Sequence, residues 1–534
     1  MDGTQQIDQQ DIDRRDIDHR DAADNGPVVS GQPRTSSATA CALLAELWAD
    51  EAARGLSRRM PALSAHNHAF PTLVALLAGL ALAAIIAAPL ARLPLIGMLP
   101  VAMSPACLVL AGLRIAGAVM PERHAPRNRL PGAVLPAASV IVALYREAAV
   151  VPQLLKALQA IDYPPDRLEI RLAIEADDTA TRAALETADL DPRFAIVVVP
   201  PGEPRTKPRA LNYALRFCTG DIVAVHDAED RPHPRQLRTA AESFAATPPD
   251  LACLQAPLNW YNRDECWLTR QFAMEYAAHF HTMLPLYQRL GWPLPLGGTS
   301  NYFRARALRR AGGWDAWNVT EDADLGLRLH RLGYRCGLIA PTTLEEAPVR
   351  LAAWTPQRTR WLKGYWQTLI VHFGLDPQRR RQSGPLALTL GGAVLSALVH
   401  GPTIPACLLA AGLAGLGSPA ALTFLGVLGA GYLAGVASIV AGMRRAGLRL
   451  RAADLASLPA YWALQTVPAV RALLQLVRNP YLWEKTEHGV SALAEPTCTS
   501  HSPPRSSPSA SPSRSSSSPA GAQASLSARS ADRA

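Results

Sequence analysis

Long apolar segments on both sides of a charged central region constrain the fold of this chain more than any other feature. Before that region lie PTLVALLAGLALAAIIAAPLA (71–91) and LIGMLPVAMSPACLVLAGLRIAGAVM (95–120). Each reaches the roughly 20 residues that a helix needs to cross the hydrocarbon core, although Arg114 lies near the end of the second. We therefore predict two transmembrane helices within residues 67–122, which return the chain to its starting side.

Apolar character returns after the triple arginine at 379–381. Residues 385–416 are long enough for one tilted helix or for two short ones, and residues 420–443 form a second apolar stretch. The segment 455–477 contains prolines, a glutamine and an arginine, so a further crossing and an interfacial helix are both consistent with it. We assign residues 385–478 to transmembrane or interfacial helices, two of them firmly defined.

Arginines mark one side of the membrane. Four of them follow the second C-terminal apolar stretch: Arg444, Arg445, Arg449 and Arg451. By the positive-inside rule this loop is cytoplasmic, and so is the arginine-rich end of the central region. The sequence thus predicts an integral, multi-pass protein of a bacterial inner membrane whose central region faces the cytoplasm.

The two ends of the chain are polar. Residues 1–66 begin with an imperfect acidic repeat and lack the basic start and short apolar core of a secretory signal peptide. Residues 491–534 are rich in Ser, Pro, Ala and Arg. We predict that both ends are disordered.

The net charge of +9 comes largely from arginines beside apolar segments or in the tail. No RNA- or DNA-binding motif accompanies them, so we predict no nucleic-acid partner. The eight cysteines are scattered and include no C-x-x-C pair, which argues against a zinc site and a disulfide framework.

The charged central region, residues 137–374, has the pattern of an α/β domain. Short apolar runs alternate with amphipathic stretches, which predicts a mainly parallel sheet covered on both faces. The predicted strands are ASVIVAL (138–144), LEIRLAI (168–174), AIVVVP (195–200), DIVAVH (221–226) and LACLQAPL (251–258).

Acidic residues directly follow two of these strands. They are Glu175, Asp177 and Asp178 after the second strand, and Asp227, Glu229 and Asp230 after the fourth. In open α/β sheets, ligands bind outside the carboxyl ends of the strands. Carboxylate oxygens suit Mg²⁺ or Mn²⁺, which would bridge them to a diphosphate. A solvated acidic loop is the alternative for either group taken singly.

Two further motifs follow. In NVTEDADLGLRLHRLGYR, Thr320 has the position of an N-cap, and three acids crowd the first turn of the helix. One acid there would stabilise the helix dipole, but three exceed that need, and one could serve as a general base. In WTPQRTRWLKGYWQT, Gln357, Arg360 and Trp361 have helical spacing in a predicted interfacial helix. Arginine can pair with phosphate oxygens, and tryptophan offers a flat face for a sugar ring.

These four motifs, in this order, resemble the family 2 glycosyltransferases of the GT-A fold, and most closely their cellulose-synthase-like membrane branch. The resemblance covers residues 137–374, and the flanking helices and RNPYLWEKTEHG (478–489) also resemble this group. It implies a Rossmann-like, mainly parallel catalytic sheet flanked by transmembrane helices. It also implies a divalent cation, Mg²⁺ or Mn²⁺, as cofactor.

The resemblance assigns roles to individual residues. It makes Asp322 the catalytic base and gives Asp227, Glu229 and Asp230 to the metal. On the donor side it implies Glu175, Asp177, Asp178, Lys207, Asn212, Gln357, Arg360 and Trp361. On the acceptor side it implies Glu321 and the loop residues Gly298, Thr299, Ser300 and Asn301.

The predicted function is inverting transfer of a sugar from a nucleotide-sugar donor, with UDP-glucose favoured, to a growing glycan in processive synthesis at the bilayer. One alternative is transfer of a single sugar to a lipid carrier. A non-catalytic scaffold or a transporter is a further alternative, against which the complete acidic set argues. No motif identifies export or regulatory subunits.

Overall fold

The computed structural model describes residues 35–72, 74, 95–374, 377–415, 417–486, 489 and 491. The predicted first span at 71–91 lies almost entirely outside the described residues, as do residues 1–34 and the tail from residue 492.

The described residues contain ten strands. They are β1 Ala138–Leu144, β2 Leu168–Glu175, β3 Phe194–Val199, β4 Ile222–His226, β5 Arg231–Pro232, β6 Leu251–Gln255, β7 Leu258–Trp260, β8 Asn301–Arg304, β9 Arg335–Leu338 and β10 Thr343–Glu345. Seven form one sheet in the order β3-β2-β1-β4-β8-β6-β9, and β5-β10-β7 form a small second sheet. In the large sheet only β8 runs antiparallel to its neighbours, β4 and β6. The prediction of a mainly parallel α/β sheet is confirmed.

The central strand β1 is mainly apolar along its length because both faces of the large sheet are covered. Along β1, Val140 and Val142 face one apolar core, whereas Ile141 and Ala143 face the other. The predicted strand at 251–258 divides into β6 and β7, which belong to different sheets. The division falls at Pro257, which has no backbone N–H to donate to a strand ladder.

Ten helices up to residue 331 are described. They are α1 Thr35–Arg59, α2 Leu95–Val119, α3 Val151–Gln159, α4 Thr179–Glu186, α5 Lys207–Leu215, α6 Gln236–Ala245, α7 Trp267–Ala278, α8 Leu284–Arg289, α9 Ala305–Arg310 and α10 Glu321–Arg331. A π-helical turn, His279–Met283, joins α7 to α8.

Seven more helices follow within the described part of the chain. They are α11 Leu351–His372, α12 Pro377–Leu386, α13 Gly392–Ala414, α14 Pro419–Arg445, α15 Ala452–Ala456, α16 Leu458–Leu464 and α17 Thr466–Arg478. A second π-helical turn, Ala387–Gly391, joins α12 to α13.

Two stretches of these helices, Arg381–Val399 and Ala421–Arg445, are long and apolar enough to cross a membrane. Of the two alternatives for the first C-terminal segment, the structure has one continuous helix, α13, which contains Pro402 and Pro405. Residues 452–478 form three short helices, α15 to α17, instead of one long helix. Helix α14 packs against both α2 and α7, so the apolar helices contact the α/β domain directly.

The prediction of disorder up to residue 66 is wrong for residues 35–66. Helix α1 packs on α5, and its apolar stripe includes Trp48, Ala52 and Leu56. The segment after it is held by the buried Asp315, whose Oδ2 accepts a hydrogen bond of 2.6 Å from the Ala65 N–H. The segment is polar overall, so its composition alone does not predict this buried stripe.

Candidate active site

A large cavity of about 1060 Å³ lies at the carboxyl ends of β1, β2 and β4. Its wall includes residues that follow these strands, the first turn of α10 and one face of α11. From there the cavity continues between α2, α13, α14 and α16. This arrangement brings most of the residues singled out in the sequence to one space that reaches the apolar helices.

Two carboxylates face each other across Gly298. A methyl group at Gly298 would lie 3.6 Å from Asp322 Oδ2 and 4.0 Å from Asp227 Oδ2. Asp322 Oδ1 is buried and has no hydrogen-bond partner among the described residues. Burial raises the pKa of Asp322 to about 6, although the Ala323 backbone N–H and nearby cations oppose the change. Asp322 is therefore an under-bonded carboxylate that accepts a proton readily near neutral pH.

Lys207 brings a cation to this acidic centre. It is the first residue of α5, and its Nζ forms an ion pair with Asp227 and donates a 2.6 Å hydrogen bond to the Gly298 carbonyl. Burial disfavours its charge, but the carboxylates of Asp227, Glu321 and Asp322 outweigh burial and raise the pKa of Lys207. The ammonium therefore remains charged and can pair with phosphate oxygens.

Asp230 lies behind the cavity wall. Its Oδ2 accepts a hydrogen bond of 2.9 Å from the Asp227 N–H, bonds to the Thr299 hydroxyl and lies 3.2 Å from His226 Nδ1. These contacts tie the loop after β4 to the loop before β8. Of the three acids predicted to bind metal, the structure brings Asp227 and Glu229 to the wall and uses Asp230 to position Asp227.

The residues at the wall fit a divalent cation that is shared with a substrate. The described residues contain no group of three or more His, Cys, Asp or Glu side chains arranged to hold a metal. Asp227 and Glu229 supply two carboxylates, and Mg²⁺ is commonly bound by one or two carboxylates together with substrate phosphates and water. Burial, followed by the charges of Asp227 and Asp230, raises the pKa of Glu229 well above its usual range, so a cation would favour its ionised form.

The three acids after β2 have different environments. Glu175 lines the cavity, and Arg209 Nη1 lies 3.2 Å from both of its oxygens. Asp177 is exposed and pairs with Arg205 at 2.8 Å. Asp178 caps α4 by accepting a hydrogen bond of 3.2 Å from the Thr181 N–H. Only Glu175 of this group reaches the cavity wall.

Helix α11 presents its predicted motif to the cavity, because Gln357, Arg360 and Trp361 all line it. The Gln357 Oε1 is buried without a hydrogen-bond partner in the described structure. The Arg360 guanidinium lies over the ring of Trp483, 4.4 Å from its centroid. Close packing fixes α11 against α10, because a methyl group at Gly364 would come within 2.7 Å of the Thr320 backbone nitrogen.

The predicted acceptor loop is only partly at the wall. Gly298, Thr299 and Glu321 line the cavity, and burial, followed by the charge of Asp322, raises the pKa of Glu321. Ser300 instead shares a 2.6 Å hydrogen bond with the Thr343 hydroxyl, and Asn301 Nδ2 donates to the Gly297 carbonyl at 2.5 Å.

Asn212 also lies away from the cavity. It donates hydrogen bonds to the carbonyls of Trp314 (2.7 Å) and Ala52 (3.0 Å). Its contacts with α1 and the loop before α10 give it a structural role, so the structure does not place it beside Lys207 on the donor side.

Sequence reasoning missed a wall that forms after the helices, at residues 478–486. Trp483, Lys485 and Thr486 line the cavity, and Lys485 Nζ pairs with Glu147 Oε1 at 2.7 Å. Arg471 in α17 anchors the segment through Glu484 at 2.7 Å. The signal in the sequence was the ending RNPYLWEKTEHG, to which no individual roles had been given.

Comparison with known proteins agrees with this geometry. Residues 136–364 match the family model described as "Glycosyltransferase like family 2". A probable glycosyltransferase of Bacillus subtilis, YdaM, is 28% identical over 265 residues, which are 47% of this chain and 60% of that protein. A beta-monoglucosyldiacylglycerol synthase of Synechocystis is 30% identical over 243 residues, 45% of this chain and 50% of that protein.

A probable glucomannan 4-beta-mannosyltransferase of Arabidopsis thaliana is 27% identical over 239 residues, 43% of each chain. The chain thus spans about half the length of the curated relatives that it matches. Among solved structures, a mannosyltransferase from Pyrobaculum calidifontis in complex with GDP-Man and Mn²⁺ is 20% identical, with a TM-score of 0.47. The match covers 72% of this chain and 98% of that one.

Proposed function

We propose that the chain transfers a sugar from a nucleotide-sugar donor to a hydroxyl acceptor at a membrane, with inversion, because residues 136–364 match the family model of the family 2 glycosyltransferases. The observation that carries the proposal is the under-bonded carboxylate of Asp322, which faces Asp227 and Lys207 across Gly298. UDP-glucose is the donor that the sequence resemblance favours.

In the proposed reaction Asp322 takes the proton from the acceptor hydroxyl as that oxygen attacks the anomeric carbon. Its raised pKa, about 6, suits a base that works near neutral pH. The helix dipole and the Ala323 N–H stabilise the carboxylate enough for it to be ionised before the acceptor binds. A single in-line displacement inverts the anomeric centre and requires no covalent intermediate.

In the proposed reaction, cationic side chains near the acidic centre bind the departing nucleotide. Lys207 and Arg360 both line the cavity near the acidic centre and can pair with diphosphate oxygens. A divalent cation held by Asp227 and Glu229 would neutralise the charge that develops on the leaving group. Asp230 holds Asp227 in place through the Asp227 backbone.

The shape of the cavity favours a lipid acceptor. Beyond the acidic centre its wall is built by helices and is largely apolar, with Leu110, Leu390, Ala397 and Ile439 among the residues that line it, although Arg114 lines it too. Such a wall suits acyl chains, which gain about 25 cal/mol for each Å² removed from water. The relative named as a beta-monoglucosyldiacylglycerol synthase has a product of this kind in its name.

Processive synthesis of a glycan is the second candidate. The motif Gln357, Arg360 and Trp361 favours it by resemblance, and aromatic rings of Trp361 and Trp483 at the wall could stack on sugars. One relative is named as a glucomannan mannosyltransferase. Product length separates the candidates, because one lipid-linked sugar supports the first and a ladder of oligomers supports the second.

A donor panel with the purified full chain tests the proposal. UDP-glucose, GDP-mannose and UDP-N-acetylglucosamine are supplied with liposomes that contain both diacylglycerol and phosphatidylglycerol, with and without Mn²⁺ or Mg²⁺. We expect transfer from one donor, loss of transfer in Asp322→Asn, and near-normal transfer in Asp166→Asn, which alters an exposed acid outside the cavity wall. Equal activity of wild type and Asp322→Asn would contradict the assigned base, and failure with every donor would contradict the reaction.

We also infer a multi-pass membrane protein with its catalytic domain in the cytoplasm. Two helical stretches of sufficient length and the arginines after α14 support this arrangement. A membrane-impermeant thiol reagent tests it through the exposed Cys41. We expect labelling of inside-out vesicles and protection in right-side-out vesicles, with a Cys41→Ser variant as control, and the reverse pattern would refute the orientation.

A further inference from the structure

Arg114 carries a positive charge into the part of the cavity that the apolar helices enclose. It lies near the end of α2, a helix with no other charged residue, and its side chain lines the cavity. The guanidinium lies over the ring of Trp462, 5.9 Å from its centroid, and Gly435 leaves room for both side chains. Charged residues within apolar helices usually mark a functional site, because their desolvation is costly.

The described residues around Arg114 do not neutralise it. It has neither a hydrogen bond nor a carboxylate partner within the part of the chain that the structure describes, and Trp462 offers only its ring. Glu275, an acid that lines the same cavity, is already paired with Arg358 at 2.6 and 2.5 Å and with the Tyr461 hydroxyl at 2.6 Å. Residues 75–94, outside the described part, contain neither Asp nor Glu. Within the described residues, the cavity therefore holds a guanidinium that has no anionic partner.

The position of Arg114 relative to the acidic centre suggests what that anion is. Arg114 and Asp322 line the same cavity, and Tyr287 and Tyr365 also contribute to its wall. An occupant that contacts both Asp322 and Arg114 needs a hydroxyl at one end and an anionic group further along. The neighbouring wall contains Leu110 and Ile439, so the rest of the occupant should be apolar.

We propose that Arg114 binds the phosphate of a lipid whose headgroup hydroxyl is the sugar acceptor. This inference rests on the proposed function and narrows its acceptor to phosphate-bearing lipids. In the step so described, a bond forms between the headgroup oxygen and the anomeric carbon. The bond from that carbon to the nucleoside diphosphate breaks, and the hydroxyl proton passes to Asp322. Guanidinium and phosphate pair through charge-assisted hydrogen bonds, which are among the strongest in proteins.

The test compares dioleoylphosphatidylglycerol, which has a phosphate and free hydroxyls, with dioleoylglycerol, which has the same acyl chains and no phosphate. sn-Glycerol 3-phosphate is the third arm, because it carries the phosphate without the lipid. Wild type, Arg114→Gln and Arg114→Lys are studied as full chains in detergent. Arg449→Gln is the matched control, because Arg449 is exposed just after α14 and outside the cavity wall. The readouts are lipid retained in native mass spectrometry and KM for each acceptor.

We expect Arg114→Gln to weaken phosphatidylglycerol retention and raise its KM by about tenfold or more, which is the effect of one hydrogen bond between charged groups. Retention of dioleoylglycerol should be unaffected, Arg114→Lys should lose less affinity for phosphatidylglycerol than Arg114→Gln, and Arg449→Gln should match wild type. Equal effects on both lipids, equal effects of the Arg449 control, or competition by glycerol phosphate alone would overturn the proposal. Arg114-dependent retention of phosphatidylglycerol without any sugar transfer would support the site and refute the proposed reaction.

Discussion

Asp322 and Asp324 lie two residues apart in α10, and we predict that replacing each by Asn changes stability in opposite directions. Asp322 has an unpartnered Oδ1, and burial raises its pKa to about 6. Asp324 is paired with Arg328 at 2.7 Å and with His372 at 2.8 Å. These partners outweigh its burial and lower its pKa. The first carboxylate therefore destabilises the fold when ionised, whereas the second stabilises it.

The magnitudes follow from these shifts. A pKa that rises by roughly two units corresponds to about 3 kcal/mol, so Asp322→Asn should stabilise the protein by up to that amount at pH 7. Because the folded pKa of Asp322 lies above its unfolded value, the cost of the carboxylate is present above about pH 6 and vanishes below about pH 4. Removing one partner of a buried ion pair costs about 3–5 kcal/mol, so Asp324→Asn should destabilise the protein.

Sugar-transfer activity is a second measure, besides stability, that distinguishes Asp322→Asn from Asp324→Asn. Loss of a general base lowers the rate about 10²- to 10⁴-fold, which is about 3–5 kcal/mol in the barrier, so a more stable Asp322→Asn should be nearly inactive. The assay measures thermal unfolding in detergent at pH 7 and pH 4 beside kcat for sugar transfer. A shift of the melting temperature in the same direction for both variants, or full activity of Asp322→Asn, would refute the reasoning.

Four further predictions concern the cavity. Gly298→Ala should fold normally but lower kcat about tenfold, because its methyl group would stand between the carboxylates of Asp322 and Asp227; unchanged kcat would contradict this. The log of kcat/KM should fall with a slope of one as the pH drops below about 6, where Asp322 becomes protonated, and a flat profile to pH 5 would exclude it as the base. Asp227→Asn should raise the Mn²⁺ concentration needed for half-maximal transfer, measured by metal titration after EDTA treatment; an unchanged titration would remove it from the metal site. Lys485→Met should lower stability by about 1 kcal/mol, and adding Glu147→Gln should restore the melting temperature, because the pair is then removed together; no recovery would show that the pair is not the cause.

The alternating pattern of the central region was sufficient to predict the parallel sheet and the acids at its edge. Asp227, Glu229 and Asp322 reach one cavity because the chain order of strands and the first turn of α10 determine where they emerge. Asn212 lies outside the cavity wall for a geometric reason. It lies five residues after Lys207, and five residues of α-helix turn about 140° away from the first side chain.

The remaining differences between the sequence-based predictions and the structure come from tertiary contacts. Asp230 has the same local pattern as its acidic neighbours, and only its contacts with His226 and Thr299 assign it to the interior. The apolar stripe of α1 can be recognised as a buried face only from its packing on α5. The wall at residues 478–486 has no regular secondary structure, so no periodicity could have placed it beside Glu147, more than three hundred residues earlier in the chain.

That wall has a consequence for how the enzyme is made. During synthesis from the N-terminus, the α/β domain emerges after α2, and Trp483 and Lys485 emerge only after all the described apolar helices. Until then Glu147 lacks its lysine and Arg360 lacks its aromatic neighbour. The cavity wall is therefore complete only after the C-terminal helices and the segment that follows them have been synthesised, so a chain truncated before residue 483 would contain the acids of the site without this wall.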